Sequence, residues 1–380
     1  MKIVIAMDSL KGSLPSLEAG NAVREGILRA MPNAQVIVRP LADGGEGTVE
    51  ALTLGMGGKL AQVNVSGPMG HPTLCTYGVI EKNKTAVVEM SGAAGITLVP
   101  EQSRDPLLAT TYGVGEVIRD AIAKGCRRFI VGIGGSATND GGIGMLQALG
   151  FGMLDENNRP VGLGAKGLKS LETITSSHVA PELKECQFRV ACDVANVLCG
   201  EQGCSAVYGP QKGATPEMIL EMDQWLARYA SLTCAKYPKA NPKLAGTGAA
   251  GGLGFAFLSY MDATLEPGVH IVLEETNLAD YVKGADLVVT GEGQLDGQTI
   301  FGKAPIGVAK MAKQFHKKVL AFCGCATEDA IACNSHGIDA FFPILQNVQT
   351  RREAMEAKNA KKNLMAAAEQ VFRLIQSMQE

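Results

Sequence analysis

The stretch Gly132-Ile-Gly-Gly-Ser136-Ala-Thr138-Asn-Asp140-Gly141-Gly142 follows a β-branched run, Phe129-Ile130-Val131, and precedes an apolar segment, Met145-Leu146-Gln147-Ala148-Leu149, that suits a helix. Strand, glycine loop and helix in that order are the repeating unit of an α/β fold. The five glycines let the backbone turn with positive φ and come close to a ligand. Ser136, Thr138, Asn139 and Asp140 place hydroxyl, amide and carboxylate groups beside the N–H groups of the helix start. Such a surface suits a polyanion or a polyhydroxylated ligand. A tight turn whose polar residues only cap the helix would carry the same residues.

The same order recurs on either side. Residues 2–7 read as a strand, and 14–31 as a helix with Pro15 in its first turn and Pro32 beyond its end. A second strand, Gln35–Val38, runs into the polar loop Leu41–Thr48 and a helix to about residue 55. This implies parallel strands with right-handed crossovers. Between 60 and 110 the pattern changes to short strand-like runs at 62–65, 74–80 and 85–89, read as hairpins or a mixed sheet. After the helix–strand–loop–helix of 111–150, Phe188–Ala191 delivers Cys192-Asp193, and helical periodicity covers 215–235. Residues 237–243 read as a surface loop, and the small-residue stretch Gly246–Gly254 as a helix packed tightly on a neighbour. From 284 the opening pattern resumes, with strands at 286–290, 318–322 and 340–344 and a long amphipathic helix at 352–378. Two strands at the start and three at the end make one five-stranded parallel sheet. The predicted layout is therefore α/β with two domains: 1–62 with 284–380, and an inserted domain over 63–283.

A length of 380 residues agrees with two cores rather than one. A hydrophobic content of 46% with 46 glycines and only 5% aromatics suits a glycine-looped α/β protein. The formal net charge of -3, without a basic block, argues against nucleic acid or an anionic membrane as partner. No apolar run reaches the roughly 18 residues of a membrane span, and the N-terminus lacks the features of a signal peptide. The expected location is the cytoplasm, with the ten scattered cysteines reduced. Cys323/Cys325 and Cys199/Cys204 lack the spacing of a zinc knuckle, and the five isolated histidines suggest no metal.

Two glycine motifs carry little weight. Gly246-Thr-Gly248-Ala-Ala-Gly251 matches the dinucleotide fingerprint but follows a loop instead of a strand. Gly162–Ser170 resembles a phosphate loop with one residue too many before its lysine. Gly132–Ala137 does follow a strand, which leaves a nicotinamide-dependent hydroxy-acid dehydrogenase as an alternative reading. The carboxylates at strand ends say more, because open α/β sheets bind ligands outside the carboxyl ends of their strands. Asp8 (with Ser9, Lys11 and Ser13), Asp43 (with Glu46), Asp193 (with Asn196) and Glu292 (with Asp296) all sit there. One such Asp is an ordinary cap or turn former; four are hard to explain that way. Lys11 and Lys212 are candidate phosphate ligands, though either taken singly reads as a solvated surface residue. The inventory suits phosphoryl transfer, which needs carboxylates for Mg²⁺, lysines and backbone N–H groups on phosphate, and an Asp on the acceptor hydroxyl. No Cys–His or Ser–His pairing points to nucleophilic hydrolysis.

Six motifs resemble the bacterial class I glycerate kinases: Met1–Ser13 (MKIVIAMDSLKGS), Ala42–Thr48 (ADGGEGT), Gly132–Gly142 (GIGGSATNDGG), Val190–Asn196 (VACDVAN), Tyr208–Ala214 (YGPQKGA) and Gly291–Val308 (GEGQLDGQTIFGKAPIGV). The resemblance implies a flavodoxin-like domain from both chain ends and an inserted α/β domain similar to restriction-enzyme folds. It also implies ATP- and Mg²⁺-dependent phosphorylation of D-glycerate, at the 2-hydroxyl with the 3-hydroxyl as the alternative, in glycerate, glyoxylate and sugar-acid catabolism. On these motifs Asp43 or Asp193 is expected to activate the glycerate hydroxyl, with Lys11 neutralising charge. Glu292 and Asp296 are expected to hold Mg²⁺. Asp8, Ser9, Gly44, Gly45, Glu46, Gly134, Gly135, Ser136, Thr138, Asp140, Asn196 and Lys212 are expected to contact substrate or phosphate. Met7, Ala94, Val197 and Gln294 depart from the family pattern, and Gln294 removes a charge that arginine often supplies there. A non-catalytic small-anion binder is a further alternative, and the sequence is compatible with a homo-oligomer.

Overall fold

The computed structural model describes residues 1–42, 44–45 and 47–379; Asp43 and Glu46, both expected at the site, lie outside the described residues. Its contacts divide the chain into two units. The first comprises Met1–Asp43, Leu54–Met56 and Val269–Glu380, and the second Gly44–Thr53 and Gly57–Gly268.

Strand β1 (Lys2–Met7) is buried along almost its whole length, as a central strand covered on both faces must be. Helix α1 (Ser16–Ala30) follows, with Pro15 at its N-cap. Ser16 Oγ donates to the Met7 carbonyl at 2.7 Å and accepts from Leu41 N–H at 2.8 Å, which ties the helix start to the end of β1. Strand β2 (Gln35–Val38) pairs with β1 in parallel, and α2 (Thr48–Gly55) comes after the second loop.

The second unit is built on a mixed sheet. β3 (Lys59–Ser66), β4 (Pro72–Ile80) and β5 (Thr85–Glu89) pair antiparallel. Helices α3 (Ser91–Ala94) and α4 (Tyr112–Ala123) lead to β6 (Arg128–Gly132) and α5 (Ile143–Ala148). A small hairpin, β7 (Gly152–Leu154) with β8 (Thr173–Thr175), brackets α6 (Ala165–Lys169). Then come β9 (Gln187–Ala191), α7 (Cys204–Tyr208), α8 (Pro216–Lys236), α9 (Ala249–Tyr260) and β10 (Thr264–Glu266). The six strands lie in the order β10-β9-β6-β5-β4-β3, and β5, β6, β9 and β10 run parallel. The expected helix over Gly246–Gly254 needs correction. Ala250, Gly251 and Gly252 have left-handed backbone angles, so regular helix starts only after them. A Cβ on Gly251 would lie 2.1 Å from the Thr138 carbonyl oxygen, so the small residues serve close packing against the 132–142 loop rather than a helix face.

Helices α10 (Gly268–Glu275) and α11 (Leu278–Lys283) return the chain to the first unit, where Val269 packs against Gly307. There β11 (Leu287–Leu295), α12 (Ala304–Gln314), β12 (Lys318–Ala326), α13 (Ala332–Ser335) and β13 (Ala340–Pro343) complete the sheet. Its order is β13-β12-β11-β1-β2, all parallel, which is the flavodoxin-like order. The closing helix is interrupted. α14 (Arg351–Met355) begins with a Thr350/Glu353 capping box, Glu356 is extended (φ -60°, ψ 126°), and α15 (Ala357–Ser377) follows. α15 lays Ala360, Leu364, Ala368 and Phe372 into the core shared with α1. The two helices approach so closely at Gly26 that a Cβ there would meet the Met365 carbonyl oxygen at 2.3 Å. Among the described residues no helix is long and apolar enough to cross a membrane.

Candidate active site

The carboxyl edge of the first unit's sheet collects one cluster of charge. β1 and β11 are neighbours in register Met7↔Gly291, so Asp8 and Glu292 emerge side by side. Asp8 is buried, and its Oδ1 accepts the Ser9 N–H at 2.7 Å. Glu292 is only 7% exposed, and its Oε1 accepts from Thr299 Oγ1 at 2.7 Å. Burial pushes the Glu292 carboxyl above the usual range; the Thr299 hydroxyl and the charges of Lys303 and Lys11 oppose this, while Asp296 adds to it. Burial acts the same way on Asp296, but there the Lys303 ammonium at 3.1 Å and the Gln298 N–H win and hold the carboxyl below its ordinary value. Lys303 lies 4.0 Å from Glu292, so one ammonium serves both carboxylates. A cavity of about 670 Å³ opens over this cluster and is lined by Asp8, Ser9, Lys11, Glu292, Asp296 and Lys303 among others.

Lys303 and Thr299 were not singled out from the sequence, although both lie inside the Gly291–Val308 motif. Lysine near a helix start reads as surface, and nothing in the spacing shows that its amine reaches back to two carboxylates. Among the described residues no cluster of three or more His, Cys, Asp or Glu side chains has metal-binding geometry. Glu292 and Asp296 still suit Mg²⁺ by donor type, because Mg²⁺ on a phosphate substrate commonly takes only one or two carboxylates and keeps several waters.

In the second unit, the parallel strands β5, β6, β9 and β10 end together in the register Glu89↔Gly132↔Ala191↔Glu266. Glu89 Oε1 accepts the Val49 N–H at 2.7 Å, so a carboxylate from the sheet edge caps the start of α2. This anchors Gly44–Gly45 next to the 132–142 loop. A Cβ on Gly132 would stand 2.4 Å from the Gly44 carbonyl oxygen, and one on Gly44 would stand 2.6 Å from Ala191 Cβ. Gly134 and Gly135 are exposed on that loop, where their backbone can meet a ligand. Glu89 was not anticipated, since its partner is forty residues away in sequence.

Ser136, Thr138 and Lys212 form a unit beneath the loop. Lys212 is 2% exposed, and its Nζ donates to Ser136 Oγ at 2.8 Å and to the Thr138 carbonyl at 2.6 Å. Burial pushes its pKa down from 10.5 to about 8. Asp140 is wholly buried. It accepts from Thr111 N–H (2.8 Å), Thr111 Oγ1 (2.9 Å) and Gly142 N–H (3.0 Å) and thereby shapes the loop from inside. Burial raises its carboxyl pKa against those hydrogen bonds. Asn196 is likewise engaged within the protein, accepting from Tyr208 OH at 2.6 Å and donating to the Gln202 carbonyl at 3.0 Å. Asp193 is different: it is exposed just past the end of β9, and its Oδ1 accepts the Gly268 N–H at 3.0 Å. That bond orients one oxygen and presents a carboxylate where a substrate hydroxyl could reach it.

The structure thus brings Asp8, Lys11, Glu292 and Asp296 together in the first unit. It gathers Gly44, Gly45, Gly134 and Asp193 about the strand ends of the second. A carboxylate–lysine cluster and a glycine loop over a buried ammonium are arrangements that can neutralise and orient phosphate.

Known proteins resemble the chain along nearly its whole length. A family model described as the glycerate kinase family matches residues 3–376. The glycerate kinase of Haemophilus influenzae is 46% identical over 375 residues, 99% of this chain and 99% of that protein. The glycerate 2-kinase of Escherichia coli (strain K12) is 45% identical over 354 residues, 93% of each chain. A crystal structure from Salmonella typhimurium LT2, provisionally assigned as a glycerate kinase 2, superposes with a TM-score of 0.91 at 44% identity, over 100% of this chain and 99% of that one. With the likeness running through both sheets and nearly every residue, the chain belongs to the glycerate kinase family and is a phosphotransferase.

Proposed function

We propose that this protein transfers the γ-phosphoryl group of ATP to the 2-hydroxyl of D-glycerate, giving 2-phosphoglycerate and ADP, in the cytoplasmic breakdown of glycerate and related hydroxy acids. The observation that carries the reading is the Glu292–Asp296–Lys303 cluster beside Asp8 and Lys11, at the carboxyl edge of a flavodoxin-like sheet. The glycerate hydroxyl oxygen bonds to the γ-phosphorus as the bond to the ADP oxygen breaks, and Asp193 or Asp43 takes the hydroxyl proton. Lys11 and Lys303 neutralise phosphate charge. The exposed backbone of Gly134 and Gly135, with Gly44 and Gly45, receives the anionic substrate above Lys212. Glu292 and Asp296 would hold Mg²⁺, which would neutralise phosphate charge.

Phosphorus NMR of the product from ATP and D-glycerate tests this reading. The 2-phosphoglycerate resonance is expected; 3-phosphoglycerate would move the acceptor to the other hydroxyl, and no transfer of γ-label to glycerate would overturn the proposal. Asp193→Asn and Asp43→Asn are the decisive variants. Loss of the general base is expected to lower kcat on the order of 10² to 10⁵-fold, and near-normal turnover in both folded variants contradicts the assignment.

A further inference from the structure

Two groups of opposite charge are buried under the glycine loop of the second unit, and neutral groups hold each of them. The Lys212 amine grips residues 136 and 138, through Ser136 Oγ at 2.8 Å and the Thr138 carbonyl at 2.6 Å. Asp140 comes two residues further along the loop and is fully buried. Its neighbours turn hydrogens toward it. Gly142 N–H donates to Oδ1 at 3.0 Å, and Thr111 N–H and Thr111 Oγ1 donate to Oδ2 at 2.8 and 2.9 Å. Gly144 N–H and Thr110 Oγ1 add longer bonds to Oδ2, both at 3.4 Å. Met145 N–H donates to Thr111 Oγ1 at 2.9 Å and Tyr112 N–H to Thr110 Oγ1 at 3.1 Å, so both hydroxyls send their own hydrogen to Asp140. A protonated carboxyl would set its hydrogen against these donors, and the site is built for the anion.

A buried charge is costly unless another offsets it. Burial pushes the Lys212 pKa down to about 8, and Cys204 and Asp140 act against that. The Cys204 thiol, in α7, is itself pushed up to about 11 by burial and is neutral at physiological pH, so it brings no charge. Tyr229, in α8, is held in its neutral form by burial as well. Arg104 and Asp105, from the segment before α4, line the same narrow gap as Lys212 but carry opposite charges. Among the described residues this leaves Asp140 as the buried anion that faces the ammonium. We propose that Asp140 is a positioning residue for glycerate, acting through Lys212: its carboxylate keeps that ammonium charged and seated under the loop whose backbone at Gly134 and Gly135 takes the anion. The inference rests on the phosphotransfer reading above, and deepens it by replacing the expected contact between Asp140 and substrate with an indirect one.

NMR of the full-length protein, isotope-labelled at lysine Nζ, gives the direct test. The Lys212 resonance, assigned by its loss in Lys212→Met, is expected to titrate near pH 8 in the wild type. In Asp140→Asn the midpoint is expected at a pH lower by about one. Turnover gives a second readout. With saturating ATP, kcat/KM for D-glycerate in Asp140→Asn is expected to be about fivefold below wild type at about pH 8. At about pH 6, where Lys212 is charged in both proteins, the two should nearly coincide. In a Lys212→Met background the same substitution has no further effect, because the group it acts on is gone. A deficit of equal size at both pH values, or one that persists in Lys212→Met, marks a merely structural role and overturns the inference. An unmoved Lys212 titration does the same. Thr111→Val takes one donor from the anion and keeps the carboxylate, which covers the case that Asp140→Asn does not fold. It is expected to move the Lys212 titration in the same direction by less, and no movement there is equally fatal. If the titration moves but glycerate is never phosphorylated, the coupling stands and the phosphotransfer reading fails. If glycerate is phosphorylated and the titration stays put, the reverse holds.

Discussion

A buried ammonium must be held by something, and Lys212 is held by two neutral oxygens, Ser136 Oγ and the Thr138 carbonyl. Its charge is carried at neutral pH but lost as pH rises through about 8. If that charge draws the anionic substrate to the glycine loop, kcat/KM for glycerate falls as pH passes about 8. Lys212→Met is then low at neutral pH and shows no such step; a wild-type profile flat to pH 9.5 contradicts the role. Glu292 has the opposite problem, a carboxylate driven toward its neutral form by burial. Removing its nearby cation in Lys303→Met is expected to lower kcat/KM on the order of 10²-fold. It should also move the acid limb of the pH profile upward, while Thr299→Ser keeps the hydroxyl and stays close to wild type. These partnerships were only half legible. Asp8, Asp193 and Glu292 announced themselves by following apolar runs, whereas the sequence Gly209-Pro-Gln-Lys212-Gly213 gives no sign that the lysine is buried.

Elements are legible where burial is uniform along them. β1, residues 287–289 of β11 and residues 319–323 of β12 are apolar runs in strands covered on both faces, and that pattern is visible in the chain without any knowledge of partners. Interruptions are not. The left-handed turn at Ala250–Gly252 is imposed by contact with Thr138 and Gly141, and the bend at Glu356 lies inside a periodic segment with no Pro or Gly to mark it. The α1–α15 contact depends on Gly26 in the same non-local way. Gly26→Val is expected to cost about 1–3 kcal/mol through overpacking and to lower the melting temperature by several degrees. A thermal scan with no change would mean that the two helices separate without penalty.

At the scale of the whole molecule the chain leaves one sheet, builds a second, and returns to finish the first. That path could be inferred because matching strand–loop–helix units stand at both ends of the sequence. The course of α10 and α11 could not, since short amphipathic helices fit either sheet; the sequence grouped 63–283 together, and the contacts place Val269 onward with the first unit. The second unit has its own six-stranded sheet and a large apolar core running from Val65 to Ala263. A fragment spanning Gly44–Gly268 is therefore expected to fold alone, with a single cooperative thermal transition, as domains with their own core do. It should transfer no label from γ-labelled ATP to D-glycerate, because Lys11, Glu292, Asp296 and Lys303 all belong to the other unit. The complementary unit offers no such fragment, being made from both ends of the chain. Circular dichroism and the label-transfer assay on the one preparation separate the two claims. A fragment without a transition denies the second unit its independence, whereas a folded fragment that phosphorylates glycerate removes the Glu292–Lys303 cluster from the chemistry.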